Sequence, residues 1–196
     1  SLRIVQLTDL HDSSFGRGNS RLIRKVKEQA PDVILITGDL VNAKQENTEI
    51  AVNLIRNLVK IAPVYCSDGN HEVEYQENYG TDLHELYREA GAQVLDREYQ
   101  DVEIAGQQLR IGGIYGYCLP AKYEGEARAD ETEFLTRFQD TDRLKILMCH
   151  MPVCWVINES LDEWKVDYVF AGHVHGGEVI LPFAGGIYAP DMGWFP

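Results

Sequence analysis

The stretch Val33-Ile34-Leu35-Ile36-Thr37-Gly38-Asp39 decides the fold. Four large apolar residues, three of them β-branched, read as a strand, which ends abruptly in a small polar turn carrying a carboxylate. The same pattern recurs on both sides. Leu2 to Leu7 runs into Thr8-Asp9-Leu10-His11, and Val64-Tyr65-Cys66 into Ser67-Asp68-Gly69-Asn70-His71-Glu72. Leu144 to Cys149 delivers His150, and Val166 to Phe170 delivers Ala171-Gly172-His173-Val174-His175. Helical patterns lie between these runs at Ser20–Gln29, at about Asn47–Lys60, from a cap at Thr81 to about Ala90, and at Asp130–Phe138. Ala105-Gly106 marks a hairpin turn between strands near Gln100–Ile104 and Gln108–Tyr115. Alternating strands and helices predict an α/β fold, and the absence of a repeat or linker predicts one domain over residues 1–196.

In open α/β sheets, ligands bind outside the carboxyl ends of the strands, so the polar strand ends are expected to converge in one crevice. They carry Asp9, His11, Asp39, Asn70, His71, His150, His173 and His175, which include five of the chain's six histidines. Taken singly, each Asp is most simply a turn former and His150 a satisfied core histidine. Taken together, they form a mixed N/O donor set suited to Mn, Fe, Zn or Ni. Seven ligands are too many for one ion that must also hold substrate, but enough for two ions about 3.5–4 Å apart if one carboxylate bridges them. In the Gly-His-Val-His segment, alternation along an extended backbone points both imidazoles the same way.

These blocks resemble the calcineurin-like metallophosphoesterase family: Asp9-x-His11, Gly38-Asp39, Gly69-Asn70-His71-Glu72, His150 and Gly172-His-Val-His175, in the family's order. The resemblance implies a two-sheet β-sandwich flanked by helices, where periodicity alone gives only α/β. It implies one divalent metal ion on Asp9, His11, Asp39 and His175, and a second on Asp39, Asn70, His150 and His173, with Asp39 bridging. The ions are Mn, Fe, Zn, Ni or Mg. The implied reaction is hydrolysis of a phosphomonoester, phosphodiester or pyrophosphate by a metal-bridging hydroxide. His71, beside Asn70, acts as general acid and is not a ligand. Asp68 and Glu72 are expected to orient His71 or a ligand imidazole. The alternative from another class is a phosphoesterase-fold binding scaffold that is catalytically weak or inactive; it fits poorly, because every position is filled. Asn42 stands where many relatives have a second Asp.

The residues from Gly176-Gly177-Glu178 through Leu181-Pro-Phe183 to Tyr188-Ala-Pro190 resemble a membrane-associated bacterial subgroup. This suggests a small phosphorylated substrate, lipid- or nucleotide-linked, and membrane association through a segment not in this chain. Localisation stays open between cytoplasm and membrane surface. Relatives in this subgroup continue past Gly193-Trp-Phe-Pro196, so part of the second sheet and substrate wall is expected to be missing, with Phe183–Pro196 a mobile loop. With 31 acidic against 18 basic residues, the formal charge is −13, which argues against a long nucleic-acid substrate. Among the four cysteines there is no CxxC pair, and buried, reduced thiols are expected. His84 reads as a surface residue and Arg17 and Asn19 as a solvated loop. The acids from Glu124 to Glu133 read as a solvated loop and helix start. Tyr115, Tyr117 and Tyr123 are candidates for a substrate wall.

Overall fold

A computed structural model describes residues 1–116, 129–156, 160–175, 179–181, 185–189 and 193–194. Strands β1 (Ile4–Leu7), β2 (Val33–Ile36), β3 (Val64–Cys66) and β4 (Gln93–Val94) form a parallel sheet in that order. Helices α1 (Ser20–Glu28), α2 (Glu49–Leu58), α3 (Asn70–Tyr79) and α4 (Leu83–Glu89) connect them. In the second sheet β5 (Glu98–Ile104) and β6 (Gln107–Ile114) are antiparallel, and β6, β7 (Leu144–Cys149) and β8 (Tyr168–Phe170) are parallel. Helix α5 (Ala129–Gln139) and the short α6 (Val153–Val156) and α7 (Ser160–Glu163) accompany this sheet. Among the described residues, no helix is long and apolar enough to cross a membrane.

The two sheets stack as a sandwich, and side-chain alternation explains why. Val33 and Leu35 face inward with Tyr65, Leu109, Ile111, Ile146 and Met148, forming the layer between the sheets. Their neighbours Ile34 and Ile36 point the other way, into Ile55, Leu58, Tyr75 and Leu83 of the helical layer. Leu147 and Cys149 likewise turn from the interior toward Phe134 and Phe138 of α5. A parallel strand covered on both faces must be apolar throughout, which is why β2 reads as an unbroken hydrophobic run. The resulting order is helix, sheet, sheet, helix, an α/β two-sheet sandwich with the strand ends of both sheets opening at one edge.

Several expectations need correction. Asp82, not Thr81, caps α4, its carboxylate accepting the Glu85 N–H at 2.8 Å. The Gly69-Asn70-His71-Glu72 segment opens a ten-residue helix, α3, that the sequence pattern did not reveal. Within Phe183–Pro196, expected as a mobile loop, the described residues form the short strands β10 (Gly185–Ala189) and β11 (Gly193–Trp194), which pair antiparallel with each other, β10 also pairing with β9 (Val179–Leu181) before it. Asn19 is buried, not solvated, and its side-chain oxygen accepts the Phe15 N–H at 2.8 Å. Arg17 is exposed. Cys66, Cys149 and Cys154 are free and buried; Cys118, Tyr117, Tyr123 and the acids at 124–128 lie outside the described residues.

The β2 core gives a direct check. Ile34→Ala leaves a cavity between sheet and helices and is expected to cost about 2–5 kcal/mol, read as a lower urea midpoint at constant slope. A loss well under about 1 kcal/mol would mean this strand is not packed on both faces.

Candidate functional site

The strand ladder runs on past its last residues and places the polar turns side by side. The Thr37 N–H bonds the Leu7 carbonyl at 3.0 Å, Asp9 N–H bonds Gly38 at 3.1 Å, and His11 N–H bonds Asp39 at 2.9 Å. Two side-chain bonds then tie one sheet to the other. His150 Nδ1 lies 2.7 Å from the Thr37 carbonyl, and Gln6 Nε2 donates to the Ala171 carbonyl at 2.7 Å. Gly172 passes so close to the first strand that a Cβ there would stand 2.1 Å from Thr8 Oγ1 and 2.7 Å from Asp9 Oδ2. A Cβ on Gly69 would stand 2.2 Å from Asp39 Oδ1, so neither position admits a side chain without displacing a carboxylate.

All eight residues picked from the sequence meet in this crevice. Asp39 is 2% exposed, and its two oxygens do different things. Oδ1 accepts the His71 backbone N–H at 2.9 Å, while Oδ2 stands 3.2 Å from His150 Nε2 and 3.7 Å from His11 Nε2. Asp9 is fixed by the Thr8 hydroxyl at 2.7 Å and the His173 N–H at 3.0 Å, and its Oδ1 lies 3.5 Å from His175 Nε2. His173 Nδ1 is 3.0 Å from the Asn70 side-chain oxygen. The rings of His11 and His175 stack with their Nε2 atoms 3.2 Å apart.

Burial and charge set the protonation of this cluster. His11 lies below its ordinary value of 6.5, mainly because burial disfavours the imidazolium, so it presents a lone pair as a metal ligand must. Burial opposes ionisation of Asp39, but the facing His150 and the His71 N–H outweigh it and hold the carboxyl below its ordinary range. The Thr37 carbonyl can only accept, so Nδ1 of His150 carries a proton. Burial opposes a second proton on Nε2, but the facing Asp39 outweighs it and raises His150 above its ordinary value. Nε2 is a lone pair in the neutral ring that a metal ligand requires. That Nε2 is buried and makes no hydrogen bond despite its closeness to Asp39. Lone pairs of buried imidazoles and carboxylates facing one another are a poor arrangement for a protein alone and a good one around divalent cations. Three groups of donors lie within 4.8 Å: Asp9, His11 and His175; Asp39, His150 and His173; and His11, Asp39 and His71. The residues therefore fit a metal site.

His71 Nδ1 accepts the Ala43 N–H at 3.1 Å, which leaves the ring proton on Nε2. Neither Asp68 nor Glu72 orients this ring, contrary to expectation. Glu72, 1% exposed, accepts backbone N–H groups of Asp39 (2.6 Å), Leu40 (2.8 Å) and Gly69 (2.9 Å), clamping the β2 and β3 turns together. Burial, then the neighbouring Asp39 and Asp68 charges, push its carboxyl up to about 7, against these donors. Asp68 instead meets His84, expected at the surface but half-buried, with His84 Nε2 2.7 Å from Asp68 Oδ2. Tyr115 lines a cavity of about 250 Å³ with Asp68, Val73, Glu77, Asp96, Arg97 and Ile114, at the ends of β3, β4 and β6.

The fold is that of a phosphoesterase sandwich, with a donor cluster at its strand ends. A model of the calcineurin-like phosphoesterase family matches residues 2–177, and the chain belongs to that family. It is 29% identical over 199 residues to the uncharacterized metallophosphoesterase YkuE of Bacillus subtilis (strain 168), covering 97% of this chain and 64% of YkuE. Phosphodiesterase YaeI of Escherichia coli (strain K12) is 25% identical over 195 residues, covering 96% of this chain and 66% of YaeI. A 5′-nucleotidase precursor from Thermus thermophilus shares the fold, with a TM-score of 0.57 at 15% identity over 92% of this chain and 43% of that one. The chain thus spans slightly under two thirds of YkuE.

The His84–Asp68 contact has a pH signature. The bond to Asp68 outweighs burial and raises His84 above 6.5. A base raised on folding stabilises the fold fully below its unfolded value and loses that contribution as pH rises through the folded value. The melting-temperature gap between the wild type and His84→Gln is therefore expected to be widest below pH 6.5 and to shrink as pH rises through the raised His84 value. A gap independent of pH would refute the ion pair.

Proposed function

We propose that this chain hydrolyses a phosphate ester or anhydride at a dinuclear metal centre. One observation carries the reading. Asp39 Oδ2 lies within 3.7 Å of ring nitrogens from two different donor groups, His11 on one side and His150 on the other. A single oxygen so placed suits a bridging ligand. On this reading Asp9, His11, Asp39 and His175 hold one ion, and Asp39, Asn70, His150 and His173 hold the other. Divalent ions bound there would neutralise phosphoryl charge and lower the pKa of water to about 7.

The chain's own residues supply the rest. His150 and Asp39, both essentially buried, stand in the part of the site most removed from solvent, where electrostatic attraction is strongest. The hydrogen bonds from Thr8 and from the His71 and His173 backbones fix the carboxylates before substrate arrives, so little reorganisation is left for the reaction. His71 points a ring N–H from Nε2, held in that tautomer by Ala43, and would donate it to a phosphoryl or leaving-group oxygen. The relative YaeI is named a phosphodiesterase, which makes a diester the first substrate to try. The formal charge of −13 favours a small phosphorylated molecule over a long nucleic acid.

The test is hydrolysis of chromogenic phosphate mono- and diesters by protein stripped of metal and reloaded with Mn²⁺, Zn²⁺, Mg²⁺ or Ni²⁺. Asp39→Asn is expected to lower turnover by at least roughly a hundredfold, the scale of losing a centre of charge stabilisation. His71→Ala should lower it about 10²- to 10⁴-fold with metal content unchanged. Full activity in Asp39→Asn, or loss of metal in His71→Ala, would overturn the assignment.

A further inference from the structure

A second cavity, of about 610 Å³, opens at the other edge of the sandwich, where β4 and β5 end their respective sheets. None of the eight strand-end residues lines it. Its walls are Arg88 from α4, Arg97 from the turn between β4 and β5, and Arg137 from α5, with Gln93, Glu98, Tyr99 and Gln100 among the remaining residues. Three guanidiniums from three separate elements share one cavity in a chain of net charge −13 that has only 18 basic residues. Arg97 meets its neighbour Asp96 at 2.6 Å, and Arg137 meets the exposed Glu133 at 3.7 Å, a helical i,i+4 contact worth little. Glu98 is the single carboxylate among the described lining residues. The described walls thus carry three arginines and Glu98, with Asp96 and Glu133 beside two of the arginines.

We propose that this cavity is a second ligand site, which takes a compact oxyanion such as the phosphate group of a small phosphorylated molecule. Guanidinium is the side chain suited to this task, because its planar fork donates two parallel hydrogen bonds to phosphate oxygens. Convergent arginines in a concavity also raise the local potential and oppose the repulsion that an anion feels from the rest of the protein. The Tyr99 ring, held under the Arg110 guanidinium at 4.0 Å, gives the cavity a fixed floor. Arg97 also lines the smaller cavity that contains Asp68, and its backbone N–H is bonded to the Gly113 carbonyl at 2.8 Å, so the turn bearing it is anchored to the second sheet.

The experiment is a titration of the metal-loaded protein with inorganic phosphate, following the arginine Nε–H resonances by NMR. These are assigned through single Arg→Lys variants. Saturable shifts of Arg88, Arg97 and Arg137 with one common Kd, of order 1 mM or tighter, are expected. They should fade as salt rises. In the Arg88→Ala/Arg137→Ala double variant, phosphate affinity should fall at least about tenfold. Both residues lie on exposed helix surfaces, so the variant should keep its melting temperature and its turnover of a chromogenic ester. Absence of arginine shifts, or unchanged shifts of Arg97 in the double variant, would overturn the proposal. Because the readout is binding at the arginines, it succeeds or fails independently of any hydrolysis at the histidine cluster.

Discussion

The bond between His150 Nδ1 and the Thr37 carbonyl, 2.7 Å long and fully buried, is the constraint on which the site depends. It joins the end of β7 in one sheet to the end of β2 in the other. A carbonyl accepts only, so the contact fixes the tautomer of His150 and turns its other nitrogen toward Asp39. Without it the two sheets would still stack through Val33, Leu35, Ile146 and Met148, but the ends of β2 and β7 would lose their direct polar tie. The Gln6 contact to Ala171 and the His173 N–H on Asp9 extend the same cross-sheet lacing to β1 and β8. Apolar packing thus brings the sheets together, and a few polar bonds set the register of the strand ends. Donor geometry demands that register and hydrophobic contact cannot supply it.

Holding the donors has a conformational cost. Asp9, His11, Asp39, His173 and His175 all adopt left-handed backbone angles, with φ between 45° and 70°. For residues with a Cβ this region costs on the order of 1 kcal/mol each, less for Asp than for bulkier side chains. Five such residues in one crevice mark it as the place where the fold gives up stability to aim side chains. Glu72 offsets part of that cost by gathering backbone N–H groups of the β2 and β3 turns on one buried carboxylate. The fold is therefore most strained and most heavily braced at the same point.

Much of this was legible in the sequence, for physical reasons. Strands such as β2 and β7 are covered on both faces, so they appear as unbroken apolar runs, and polar residues ending them stand out. The convergence of Asp9, Asp39, His150 and His173 followed from the rule that ligands gather at strand ends. Division into two sheets did not follow from periodicity; it rested on the resemblance of the motif set. Helix α3 was hidden because its first turn is made of Asn70, His71 and Glu72 and its buried face carries little beyond Tyr75. The Asp68–His84 pair joins residues sixteen apart on different elements, a contact that no local pattern announces. Glu72 was noticed, but its part was misread: its work is on backbone amides, which leave no trace in side-chain spacing.

Asp39 is the proposed ligand shared by two ions, on which the dinuclear site depends. The most direct measurement is electron paramagnetic resonance of the protein loaded with Mn²⁺, alongside metal content per chain. Two ions joined through one carboxylate should give two Mn per chain and an exchange-coupled spectrum, and Asp39→Asn should lose the coupling. One Mn per chain, or two with the spectrum of isolated ions, would contradict the bridging role and the dinuclear reading with it.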